Sequence, residues 1–408
     1  MNLLWPGDQR AGALMTDDAL LAAMLAVESA WLTALADAGV APAACAGADL
    51  AGLVGLRDTE ALAAAAEDGG NPVIGVVAVL RERAGSPISE WLHRGLTSQD
   101  VLDTALMLAT RSVVDLVATQ LVQQISVLST LTATHRGTPM LARTLTQPAV
   151  PTTFGAKAAG WLRGLLDAHQ QLTALVTPIQ IGGAAGTWSA ITELVTLTES
   201  SGDPSQAAAR LVRAAATGLG LATRPPWHTT RTPVTAAGDA LLGCTDAWGR
   251  IAADVVVLAR PEIGELGEPS GAGRGGSSTM PDKHNPVLSI LIRRAAIAAP
   301  PLAATLHTAA ALANDERPDG AWHAEWDTLR TLARRTVVAG SQCSELLAGL
   351  QIHPAAMARN LAAVDVGGEQ RAIANLVGKP PSPNYFGAID LLVDETLERA
   401  RRTLTRVR

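Results

Sequence analysis

Apolar side chains recur at three- and four-residue steps through Leu20 to Leu35, Val101 to Leu121, Ala156 to Leu175, Ala236 to Leu258 and Trp326 to Leu350, and no other regularity in the chain restricts its fold as strongly. The recurrence follows the 3.6-residue turn of an α-helix, whereas the two-residue alternation of strands is scarce. Hydrophobic residues make up 48% of the 408 residues but aromatic ones only 3%, nine of the twelve being tryptophan. Alanine, leucine and valine must therefore supply the packing, which favours closely spaced helices. The chain is predicted to be mainly α. Several of these segments are apolar on more than one face and charged residues are only 17% of the total, so the helices are expected to bury surface against other subunits in an obligate homo-oligomer.

Glycine and proline interrupt the helical period near Gly85-Ser86-Pro87, Thr223-Arg224-Pro225-Pro226, Glu265 to Ser278, and Gly378 to Pro383. These breaks divide the chain into a small N-terminal helical domain (1–96), a long central helical region (97–350) and a short C-terminal helical domain (351–408). A net charge of −6 with no basic stretch carrying interleaved aromatics argues against a nucleic-acid partner. Cys45, Cys244 and Cys343 are too dispersed for a disulfide framework or a zinc site. The apolar run at the N-terminus is too short for a signal peptide, and no stretch is expected to span a bilayer, so a soluble cytoplasmic protein is predicted.

Three polar segments break the apolar pattern. His93 to Thr104 clusters polar groups before an apolar helix, with Thr97 and Asp100 spaced as a capping box worth roughly 1 kcal/mol. The box leaves His93, Ser98 and Gln99 unexplained, and these are candidates for ligand contact. Arg143 to Gly155 holds two prolines between apolar helices, where Arg143 could grip a carboxylate with Thr144 and Gln147 beside it, or else form a structural ion pair. Gly267 to Pro286 is the richest: glycines that can turn N–H groups inward, Ser277 and Ser278, the cation Lys283, and Asn285-Pro286 as a helix start whose dipole an anion would feel. His323 and Glu325 are two apart, cannot share a helix face, and are expected to be structural.

The run from Gly276 to Asn285 reads Gly-Ser-Ser-Thr-Met-Pro-Asp-Lys-His-Asn. With the Thr97-Ser98-Gln99-Asp100 and Arg143-Thr144 segments in order before it, it resembles the signature of the fumarase/aspartase superfamily. His93 to Thr104, Trp227-His228-Thr229, Gly273 to Gly276 and Gly320 to Trp326 look most like the 3-carboxy-cis,cis-muconate cycloisomerase branch. The resemblance implies a three-domain helical subunit with a long central bundle, a homotetramer in which the segments meet from different subunits, and a small di- or tricarboxylate substrate. It also implies Ser277, with Ser278 and Lys283, as the catalytic group, Met280 and Asn285 beside the substrate, and no metal or organic cofactor.

Departures from the superfamily pattern bear on the reaction. Where its lyases carry a histidine after Arg-Thr and a glutamate seven residues after the loop lysine, this chain has Leu145 and Ile290. Expelling an amine or hydroxide needs a proton donor, but a carboxylate leaves unaided at neutral pH. The expected reaction is therefore cycloisomerisation, in which a carboxymuconate's own carboxylate adds to its double bond, as in protocatechuate degradation. The alternative is a fumarate-releasing lyase acting on an amino- or nitro-substituted succinate, adenylosuccinate and nitrosuccinate among them, with His93 as the acid. Asp282 and His284 stand where the closest relatives usually carry His and Arg, which lowers the loop's positive charge and favours a less charged substrate.

Overall fold

A computed structural model describes residues 2–198, 202–269, 271, 274–277, 279–280 and 283–407. Five helices form the centre: Ser98–Thr134, Phe154–Thr173, Thr232–Leu258, Val287–Ala311 and Gly320–Ala348. The Val287 helix lies against the Thr232 and Gly320 helices, and the Ser98 helix against the Phe154 and Gly320 helices. Their shared core is mostly aliphatic and alanine-rich, with Val117, Leu121, Leu165, Leu241 and Leu332 fully buried and the rings of Phe154, Trp161, Trp227 and Trp248 packed among them. A second core joins Trp31, Leu32 and Leu35 of helix Asp17–Asp37 to Leu102 and Leu106, and draws in Ile191 and Leu211 from the 189–219 region. The N-terminal segment thus packs with residues distant in sequence. All three cysteines are free and buried, and burial pushes the Cys244 thiol up to about 12.

Two sequence expectations change. The 139–153 segment is an antiparallel β-hairpin, Pro139–Thr144 paired with Gln147–Thr153. Its two-residue turn puts Leu145 and Thr146 at φ 50° and 72°, the left-handed geometry that a tight hairpin requires and that usually selects Asn-Gly. With neither glycine nor asparagine at the turn, the sequence carries no hairpin signal. Second, helices Asp17–Asp37 and Val287–Ala311 are long and apolar enough to cross a membrane by length and composition, contrary to expectation. Abundant alanine and leucine raise their hydropathy. The first has much of its length buried inside the protein, and the second packs on the central bundle while leaving Ile290 and Ile297 exposed.

Candidate functional site

The Ser98–Thr134 helix has 37 residues, so its ends lie about 55 Å apart at 1.5 Å per residue. The first polar segment sits at its N-terminus, and the hairpin follows its C-terminus by a few residues. Within one subunit these two segments cannot share a small substrate. The chain thus holds two separate candidate half-sites.

At the first half-site, the Asp100 carboxylate accepts from Thr97 N–H at 3.0 Å, Gly182 N–H at 2.8 Å and Gly183 N–H at 2.9 Å, and pairs with His228 Nε2 at 3.0 Å. It closes the helix cap and ties two distant loops to it. Gln99, expected to face a ligand, is fully buried and donates to Asp103 at 3.2 Å and to the His228 carbonyl at 3.0 Å. Its place at the first turn points it into the core. His93, at φ 62°, holds Glu28 through its ring Nδ1 at 2.5 Å and its backbone N–H at 3.1 Å. Thr97 and Ser98 remain half-buried at the rim, and Thr97 Oγ1 accepts from Arg317.

Behind this rim Arg231 forms two-pronged contacts with Asp103, at 2.6 and 3.0 Å, and reaches Glu325 at 2.5 Å. Burial alone would lower the Arg231 pKa, but Asp103 and Glu325 outweigh it and raise it. Burial raises that of Glu325 despite the arginine. Glu325 is therefore part of the packing, as expected, while His323 lies exposed against the Gly70 carbonyl at 2.9 Å.

In the second half-site Arg143 grips the fully buried Glu265 at 2.8 and 3.0 Å, and Asn360 donates to the same carboxylate at 2.8 Å. Arg143 is thus held in a structural ion pair in place of an open carboxylate grip. Thr144, Leu145, Thr146 and Gln147 form the exposed hairpin tip, with Leu145 96% accessible.

The glycine-serine loop is pinned at its stem. Gly275, at φ 73°, carries no Cβ because one would lie 2.6 Å from the Asn285 carbonyl oxygen. The Gly275 carbonyl accepts from Asn285 N–H at 2.8 Å and Nδ2 at 3.1 Å, so the Asn285 amide is committed to the loop. The Ser277 hydroxyl oxygen accepts from Thr279 N–H at 3.3 Å and Met280 N–H at 3.1 Å. Lys283, His284 and Met280 are exposed beside it, and Ser278 lies outside the described residues. A cleft of about 510 Å³ adjoins the loop, lined by Glu268, Arg274, Gly276, His284 and Asn285 among others. Arg274 pairs with Glu345, which also binds Arg10. Burial works against that carboxylate, and the two arginines still hold it below its ordinary range.

The next helix starts at Val287, and its cap is not Asn285. Glu268 accepts from Leu288 N–H at 3.0 Å and Ser289 N–H at 2.6 Å, so a protein carboxylate already occupies the positive end of that helix dipole. Sequence reading missed Glu268, an acid between Gly267 and Pro269 whose helix partners lie 20 and 21 residues on and leave no local signal. Glu268→Ala is expected to lower stability by about 1–2 kcal/mol, because two helix-end amides lose their acceptor. It should lower kcat more than it raises KM by loosening the loop stem. Thermal denaturation beside steady-state kinetics checks both, and unchanged kcat would show that the stem does not set loop geometry.

Among the described residues no group of three or more His, Cys, Asp or Glu side chains could hold a metal ion. Residues 9–299 match the family described as lyase. The chain is 46% identical to a nitrosuccinate lyase of Streptomyces davaonensis over 86% of its own length and 74% of that protein's. It is 38% identical to a 3-carboxy-cis,cis-muconate cycloisomerase of Bradyrhizobium diazoefficiens, over 86% and 76%. Its fold superposes on the 3-carboxy-cis,cis-muconate lactonizing enzyme of Pseudomonas putida with a TM-score of 0.77 at 31% identity, covering 97% of this chain and 85% of the other. With the serine-bearing loop and the helical frame in agreement, the chain belongs to the lyase family of the fumarase/aspartase superfamily.

Proposed function

We propose that the protein eliminates a weakly basic leaving group from a C4 dicarboxylate, with 2-nitrosuccinate as substrate and nitrite and fumarate as products. The observation that carries this reading is the pair Leu145 and Ile290 at the positions where a proton-donating couple is expected. Nitrite, like a carboxylate, is the anion of a fairly strong acid and departs without protonation. Cation count then separates nitrosuccinate from carboxymuconate. Arg143 is neutralised by Glu265, and Asp282 and His284 replace expected cations, so a dicarboxylate suits the site better than a tricarboxylate. The higher identity to the nitrosuccinate lyase supports the same choice.

Ser277 as alkoxide would take a proton from the carbon next to one carboxylate. Two N–H groups already point at its oxygen, and Lys283 lies in the same loop, so negative charge there has partners. The electrons form the carbon–carbon double bond as the carbon–nitrogen bond breaks and nitrite leaves. Because the half-sites of one chain are about 55 Å apart, a homotetramer would assemble each site from several copies. The apolar exposure of Leu145, Ile290 and Ile297 fits burial between them.

The test offers purified protein 2-nitrosuccinate, 3-carboxy-cis,cis-muconate, adenylosuccinate and argininosuccinate, following nitrite, fumarate and loss of diene absorbance. Nitrite and fumarate should appear one to one, with a pH–rate profile that rises through the base and shows no acid limb. Lactonisation of the muconate without nitrite release would restore the cycloisomerase reading. Turnover of adenylosuccinate alone would overturn both.

A further inference from the structure

Resting on the elimination reading, we infer that Arg317 seats the carboxylate on the carbon that loses nitrite, and so makes the reaction specific for diacids. Most of the positive charge around the two candidate half-sites already has a partner. Arg143 is neutralised by Glu265, Arg274 by Glu345, and Arg231 by Asp103 and Glu325. Arg94 donates Nε to the Glu90 carbonyl and is exposed to solvent. Arg317 differs from all of these. It is half-buried, and its Nη2 donates only to neutral oxygens, Thr97 Oγ1 and the Ala184 carbonyl at 3.3 Å. Among the described residues no carboxylate lies within ion-pair distance of it, and its Nε is buried with no acceptor. Sparing a partly desolvated guanidinium from every nearby acid leaves an attraction for an incoming anion.

Arg317 also lies where an anion is wanted. It touches Thr97 beside Ser98, at the half-site opposite the Ser277 loop, so in an assembled site it faces the end of the substrate that the loop does not hold. The loop, with Lys283, takes the carboxylate next to the deprotonated carbon, where charge gathers during elimination. Arg317 takes the other. A substrate lacking that second carboxylate, 3-nitropropanoate, still has everything the loop needs and would yield acrylate and nitrite.

The experiment measures nitrite release from 2-nitrosuccinate and 3-nitropropanoate by wild type, Arg317→Met and Arg317→Lys. Wild type should prefer the diacid by about 100-fold in kcat/KM, the scale of one partly buried charged hydrogen-bond pair. In Arg317→Met the diacid value should fall about 100-fold, mostly through KM, while the monoacid value changes less than about threefold; Arg317→Lys should recover part of the loss. A merely structural arginine would depress both substrates together, and that result, or an unchanged preference, overturns the assignment. If Arg317→Met does not fold, the lysine variant reads the same ratio, expected to shrink about tenfold. If wild type releases no nitrite, the elimination reading fails by itself. Calorimetry with fumarate against crotonate then still tests Arg317: fumarate binding should weaken at least about 30-fold in a folded variant and crotonate binding should not, and equal changes would overturn it.

Discussion

Ser277→Ala will lose at least about a thousandfold in kcat for nitrite release while keeping its fold, its assembly and its affinity for fumarate. The size follows from the role. A positioned base contributes roughly 10²–10⁴ to the rate, and no other described side chain hydrogen-bonds into the turn made by Ser277 with the Thr279 and Met280 amides. Those amides cost nothing to reorganise when the oxygen becomes negative, which is how a serine can serve as a base at all. The side chain is half-buried and lies on a loop, so losing its oxygen should alter stability by under about 1 kcal/mol. Kinetics, size-exclusion chromatography and fumarate calorimetry on the same preparation separate chemistry from folding. A Ser277→Ala protein within tenfold of wild type would remove the proton carrier from the mechanism, and Ser278→Ala in parallel would show whether the neighbouring hydroxyl holds that role.

The helical frame was readable because it depends on a local regularity: the 3.6-residue period through Val101 to Leu121 lies inside the Ser98–Thr134 helix, and the Thr97–Asp100 cap marks its start. For Val287–Ala311 only the start was read, from Asn285-Pro286, and not its length. It contains Pro300 and Pro301, which count locally as breakers, yet packing against two long helices sustains it. Loop chemistry was legible only as composition. That Glu265 would neutralise Arg143 depends on residues 122 apart, and the contact between Thr97 and Arg317 on residues 220 apart. Periodicity carries no information at that range. Gln99 shows the limit most simply: a polar residue beside a rim residue reads as a ligand contact until the helix phase turns it inward.

Arg231→Met should cost about 3–5 kcal/mol, the largest stability loss expected in the molecule, because it strands two buried carboxylates. Arg231 and Asp103 are fully buried and Glu325 nearly so. Trp322 Nε1 donates to Asp103 at 2.9 Å and the Trp227 ring lies 4.9 Å from the guanidinium. The cluster fastens helix Gly320–Ala348 and the start of helix Thr232–Leu258 to helix Ser98–Thr134, so its loss should also displace the Thr97 rim. The sign of the pH dependence separates charge from packing. Burial, with the neighbouring Asp103 charge, raises the folded-state pKa of Glu325 above its unfolded value even with Arg231 present, and without the arginine nothing opposes that direction. Groups raised in this way favour the folded state below their unfolded pKa and cease to do so as pH rises through the folded one. The deficit of Arg231→Met against wild type should therefore be greatest at neutral pH and shrink as pH falls toward the ordinary carboxylate range. Adding Asp103→Leu and Glu325→Leu to the variant should recover much of the loss at neutral pH. Urea denaturation of the three proteins from pH 4.5 to 8 measures this, and a deficit that stays constant across that range would mean that packing, and not the buried charge, holds the helices together.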